Sequence, residues 1–193
     1  MLPEPIAVTL LVTDVLERLG VLYVIGGSLA STVHGVVRTT LDADIVADLS
    51  LGQAPAFAAE LAGAFYVDAQ SVEDAIRQRS SFNAIHLATM FKVDVFIPKG
   101  RPFDRQQLER RQPWPVGGGS GRVIYVASAE DTVLAKLEWY RLGDETSDRQ
   151  WRDVLGVLAV QRGRLDLAYL RRWARELGVA DLAERAQAQT PPA

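Results

Sequence analysis

Asp42, Asp44 and Asp94 are the side chains whose type and spacing suit them best to chemistry. Asp42 and Asp44 flank Ala43. On an extended strand, residues two apart point to the same face, about 6.6 Å apart along the backbone, so both carboxylates can converge on one or two cations. Asp94 lies in a second apolar run, Val93-Asp94-Val95, in register with Lys92 and Phe96. It joins the other two acids if the two strands are neighbours. Carboxylates held this close repel one another unless a cation sits among them. Magnesium suits such a corner. It prefers oxygen ligands, binds through a few carboxylates plus substrate phosphates, and as a pair of ions stabilises both the attacking and leaving oxygens of an in-line displacement.

A second feature precedes the first two acids by thirteen residues: Val24-Ile25-Gly26-Gly27-Ser28. Without side chains at 26 and 27 the backbone can approach a phosphate closely, and amides at the start of a following helix favour an anion. Taken singly, a Gly-Gly-Ser run is an ordinary turn and an Asp-x-Asp pair is ordinary strand surface. Order and context distinguish them here.

The elements that must position these residues can be read from periodicity. Ile6 to Leu19 carries apolar residues at three- and four-residue steps, predicting an amphipathic helix stopped by Gly20. Val21 to Ile25 reads as a strand, and Ser28 to His34 as a helix with Ser28 as its N-cap. Asp42 to Leu49 reads as a strand, followed by helices over Gln53 to Ala64 and Val72 to Arg77. Phe82 to Leu87 and Phe91 to Ile97, separated by three residues, predict an antiparallel hairpin and hence a mixed sheet. Gly117 to Gly121 reads as a solvated loop before a strand at Val123 to Val126. Ser128 to Asp131 resembles a capping box opening a helix that carries Leu134, Leu137 and Tyr140. Two further helical patterns follow, Trp151 to Leu158 and Leu167 to Leu177, with a frayed tail from Gln187. The expected architecture is α/β (α+β): a mixed-sheet core over residues 1–127 and a C-terminal helical region, 128–193, packed on it.

In the order strand, Gly-Gly-Ser, helix, Asp42-x-Asp44 and the later strand acid Asp94, residues 21–97 resemble the nucleotidyltransferase superfamily that includes DNA polymerase beta. Gly35, Arg38 and Thr40 before Asp42 look similar to the minimal bacterial members, including the abortive-infection toxin type. The resemblance implies that Gly26, Gly27 and Ser28 hold a nucleoside triphosphate, and that Asp42, Asp44 and Asp94 bind two magnesium ions with it. It also implies that Asp94 helps activate an acceptor hydroxyl. The implied reaction is transfer of a nucleoside monophosphate, with pyrophosphate leaving. The implied acceptors are transfer RNA, a protein or a small molecule, and the implied partners are an antitoxin or a second copy of the chain.

Several residues keep two readings. Arg38 fits a phosphate-binding fork or an ion pair with an aspartate. Lys136 matches a nucleotide-contacting lysine of the toxin-like members, or a surface lysine laying its stem on an apolar helix. Asp148 and Asp153 are similar to a further acidic motif of that branch, but their five-residue offset favours a charged solvent face. The aspartates themselves could be structural, satisfied by Arg38, Lys92 or backbone amides. A chain that keeps the fold without turnover would be a binding or antitoxin-like module.

The remaining composition narrows the field. The 193 residues, 48% apolar and 23% charged, can close a hydrophobic core. A net charge of −3 argues against a surface built for sequence-blind nucleic-acid binding. There is no cysteine, which removes thiolate catalysis and cysteine zinc sites and fits a reducing, cytoplasmic setting. The two histidines, His34 and His86, form no zinc pattern and read as structural. No P-loop or dinucleotide fingerprint occurs. Trp139, Tyr140, Trp151 and Trp173 read as helix packing. No apolar run approaches the roughly 20 residues of a membrane span, and the opening residues lack a basic leader.

Overall fold

A computed structural model describes residues 2–36, 40–117 and 121–190. These fall into two compact units, one within Met1–Leu29 and Thr39–Val126, the other within Ala30–Arg38 and Ala127–Ala193.

The first unit is built on a seven-stranded mixed sheet of order β3-β4-β5-β2-β1-β7-β6. Its central strands are β1 (Tyr23–Ile25), β2 (Asp42–Ala47) and β5 (Lys92–Phe96). β1 is wholly buried, as expected of a short β-branched and aromatic run in the middle of a sheet. β2 and β5 alternate instead: Ala43, Ile45, Val93 and Val95 are buried, whereas Asp42, Asp44, Lys92 and Asp94 lie on the opposite, half-buried face. Helix α1 (Glu4–Arg18) buries Val8, Val12, Val15 and Leu16 and has Glu4 and Arg18 at the ends its dipole favours. It packs on α3 (Ala54–Leu61), whose Phe57 meets Phe82 edge-on at 5.7 Å. Helix α4 (Ala69–Gln78) opens on Asp68, whose carboxylate accepts the Ser71 amide, and packs on α3 and β4 (Ser81–His86). The expected β4–β5 hairpin is antiparallel and turns through Met90 at φ 59.

Three elements of this unit went unpredicted: β3 (Phe65–Tyr66), α5 (Pro102–Glu109) and β6 (Gln112–Val116). β3 is two residues long, and β6 carries Pro113 and Pro115, which demote a strand from the interior. β6 is an edge strand, paired only to β7 (Arg122–Val126). The predicted loop over Gly117 to Gly121 falls mostly on residues 118–120, outside the described residues.

The second unit is helical. Helix α2 (Gly27–Val33) carries the chain into it, and α6 (Ala129–Leu142), α7 (Asp148–Val160), α8 (Leu167–Glu176) and α9 (Ala180–Ala188) complete it. Ser128 caps α6 by accepting the Asp131 amide at 3.1 Å, while the Asp131 carboxylate accepts the Tyr169 hydroxyl at 2.6 Å. Leu134, Leu137, Val154, Val157, Leu170 and Leu182 form its core. Helix α9 runs through Ala188, so order continues past the expected start of the frayed tail.

Candidate active site

The two acidic strands are parallel neighbours, and their register sets Asp44 opposite Asp94 and Asp42 opposite Lys92. One sheet face therefore carries all three carboxylates. Thr40 holds Asp42 locally, its hydroxyl lying 2.7 Å from the Asp42 carbonyl and 3.1 Å from Oδ1. Asp94 is engaged from both sides: Asn83 of β4 donates its amide to Oδ1, and Lys92 Nζ lies 2.7 Å from Oδ2.

The glycine turn meets the same acids. Gly26 donates its amide to the Asp44 carbonyl at 2.9 Å, which ties the turn to β2. Gly27 has φ +54, and a Cβ there would stand 1.7 Å from Asp44 Oδ2. Only glycine lets the turn and the carboxylate occupy adjoining space. Ser28, expected as an N-cap, instead lies within the first turn of α2, which starts at Gly27, and is buried.

Lys92 is the electrostatic centre of the cluster. Its ammonium is held above the ordinary lysine range chiefly by the hydrogen bond to Asp94, with the charges of Asp94, Asp42 and Asp44 adding and its own desolvation opposing. Among the described residues, no three acids or histidines stand around a common point as the side chains are arranged. The donor chemistry nonetheless suits magnesium: three oxygen-bearing side chains share a sheet face, and a cation already lies against one of them.

The remaining sequence candidates fall elsewhere. Arg38 lies outside the described residues. Lys136 belongs to the second unit, where its Nζ lies 2.8 Å from Asp153 Oδ2 and 3.3 Å from Gln150 Oε1. Both side chains of that ion pair are only 6% exposed, which corrects the solvent-face reading of Asp153; Asp148 is exposed, as that reading expects. His34 is structural, buried with Nε2 2.7 Å from the Ala127 carbonyl. His86 packs on Phe65 and meets the Thr89 hydroxyl. Tyr140 and Trp173 are buried and Trp151 stacks on Tyr140, but Trp139 is 53% exposed and is not packing the core.

Sequence reasoning missed Asn83 and named Lys92 only as a structural partner. Asn83 stands opposite Asp94 in the hairpin register, a relation that appears only once the strand pairing is known.

No protein-family model matches the chain, and no curated protein does. Solved structures do. An antigenic nucleotidyltransferase-like protein from Paracoccidioides brasiliensis superposes with a TM-score of 0.54 at 17% identity, over 89% of this chain and 90% of its own. The antibiotic-resistance factor ANT(2'')-Ia superposes with a TM-score of 0.57 at 12% identity, over 96% and 97%. At such identities the likeness is one of fold, and it defines the class: this chain has the nucleotidyltransferase fold. Among the described residues no helix is long and apolar enough to cross a membrane.

Proposed function

We propose that this chain is a magnesium-dependent nucleotidyltransferase that moves a nucleoside monophosphate from a nucleoside triphosphate to an acceptor hydroxyl. The observation that carries the reading is that Asp44 lies against Gly27 and stands opposite Asp94 in the strand ladder. A turn that only glycine can make lies against a carboxylate whose cross-strand partner is a second carboxylate.

In this reading Asp42, Asp44 and Asp94 hold magnesium, which supplies charge stabilisation at the phosphates when bound. Gly27 and Ser28 orient the triphosphate through their backbone, and Gly26 fixes the turn to β2. The acceptor oxygen forms a bond to the α-phosphorus as the bond from that phosphorus to the bridging oxygen breaks, and pyrophosphate departs. Asp94 helps activate the acceptor hydroxyl by drawing off its proton. The motif resemblance makes Lys136 a nucleotide-contact candidate, and its ammonium lies 2.8 Å from Asp153.

A cytoplasmic setting is part of this reading, and a reducing compartment suits a chain without cysteine. The fold shared with ANT(2'')-Ia, an antibiotic-resistance factor, over nearly the whole chain is in keeping with an antibiotic as the acceptor. The motif resemblance to abortive-infection toxins supports RNA or protein acceptors and an antitoxin partner, while a net charge of −3 weighs against a long nucleic acid. A second reading, a binding module without turnover, is favoured by one observation: both oxygens of Asp94 already have side-chain partners.

Incubation with each α-labelled nucleoside triphosphate, magnesium, and either cellular RNA, lysate protein or aminoglycosides tests this reading. Label transferred by the wild type but not by Asp42→Ala/Asp44→Ala supports the enzyme and identifies the acceptor class. No transfer, with no magnesium-dependent nucleotide binding, overturns it.

A further inference from the structure

Lys92 brings an ammonium to the same sheet face as the three carboxylates. It stands opposite Asp42 in the ladder, with its ammonium 2.7 Å from Asp94. The pair is asymmetric: the Lys92 side chain is 43% exposed, that of Asp94 only 13%. A flexible four-carbon stem with a compact charge can leave for water readily, whereas the acid stays where Asn83 holds it. An arginine fork in this place would grip the carboxylate in two places and leave less easily.

Resting on the metal-dependent reading above, we propose that Lys92 is a built-in counter-cation. It offsets the repulsion among Asp42, Asp44 and Asp94 while no metal is bound and must vacate Asp94 for a divalent cation to enter. Metal loading is then an exchange of one cation for another, and nucleotide-free affinity for the metal is set partly by how firmly Lys92 holds on. The site can stay folded without metal and resist loading at low metal concentration. Lys92 is a positioning residue here, acting through Asp94.

The test is manganese binding to the full chain without nucleotide, followed by the paramagnetic resonance of the free ion. Removing one positive charge at contact distance should make Lys92→Gln bind manganese about tenfold tighter than wild type. Lys92→Arg should bind no tighter than wild type, and Asp44→Asn should bind much more weakly. Without metal, Lys92→Gln should melt below wild type and gain more from added manganese. In the wild type, amine-reactive labelling of Lys92, read by mass spectrometry, should speed up when manganese is added. Equal or weaker manganese binding by Lys92→Gln, or unchanged labelling of Lys92 in the wild type, overturns the counter-cation role and leaves the enzyme reading standing. Absence of manganese binding in both proteins without nucleotide overturns this proposal alone, because magnesium-dependent nucleotide binding decides the enzyme reading separately.

Discussion

Asp44 on β2 stands directly across from Asp94 on β5, one rung of a parallel ladder. Two acids on facing positions of neighbouring strands are unfavourable unless a cation joins them, because like charges directly opposite destabilise a sheet. Lys92 and Asn83 attend one member of the pair, and Gly27 makes room for the other. The members of this arrangement should respond differently to substitution.

Asp44→Asn should lower nucleotidyl transfer by about a hundredfold or more, since in the proposed reaction it removes a metal oxygen and a charge at the reacting phosphates. The metal-free protein should melt at or above the wild-type temperature because repulsion with Asp94 is relieved. Asp94→Asn should lose transfer equally but melt lower, having lost the Lys92 ion pair. Transfer assays and thermal melts of the two variants side by side check both expectations.

Gly27 and Gly26 are adjacent, and their alanine variants should part company. Alanine at 27 strains a backbone at φ +54, costing about 1–2 kcal/mol, and drives a methyl group into the Asp44 carboxylate. Gly27→Ala should therefore reduce both stability and transfer. At Gly26 an added Cβ meets no protein atom within 4 Å, so Gly26→Ala should retain the fold and its stability, and a loss of transfer there would come without unfolding. Urea denaturation with parallel transfer assays separates the two.

What could be read from the residues was what local pattern encodes. The alternation around Asp42 and Asp44 announced one face for those two, with Asp94 joining them only on the condition that its strand was a neighbour, and the three-residue gap after Leu87 announced the hairpin. The helix starting at Ser128 was visible because a cap residue writes its own signal. Partners fixed by strand register were not visible: Asn83 reaches Asp94 only because β4 pairs with β5 in one particular offset. Asp153 was misread for a related reason. Helical spacing says which face an acid occupies, but not that a lysine seventeen residues earlier will be buried against it.

That buried pair is itself testable. Lys136→Met or Asp153→Asn alone should destabilise the protein by about 3–5 kcal/mol, because each removes one half of a buried ion pair. Replacing both by apolar residues should recover most of the loss. A double-mutant cycle in urea reads the coupling directly, and additive losses would mean that the two residues act independently.

Tyr23 makes stability depend on alkaline pH. Burial, then the hydrogen bond to Glu17 and the negative charge of that residue, push its phenol well above the ordinary value of 10.0. Its hydroxyl donates to Glu17 Oε1 at 2.7 Å and its ring packs edge-on against Tyr125. Above about pH 10 the unfolded chain loses this proton while the folded chain keeps it, so the folded state binds more protons and stability falls as pH rises. A full proton of difference corresponds to a slope of about 1.4 kcal/mol per pH unit. Lys92, held above the usual lysine range, works in the same direction from slightly higher pH, so only a comparison isolates the tyrosine. Tyr23→Phe should lose about 1 kcal/mol at neutral pH with its hydrogen bond. It should then decline less steeply than wild type between about pH 10 and 11.5. Urea midpoints measured across that range decide the matter, because parallel slopes in the two proteins would place the alkaline sensitivity elsewhere.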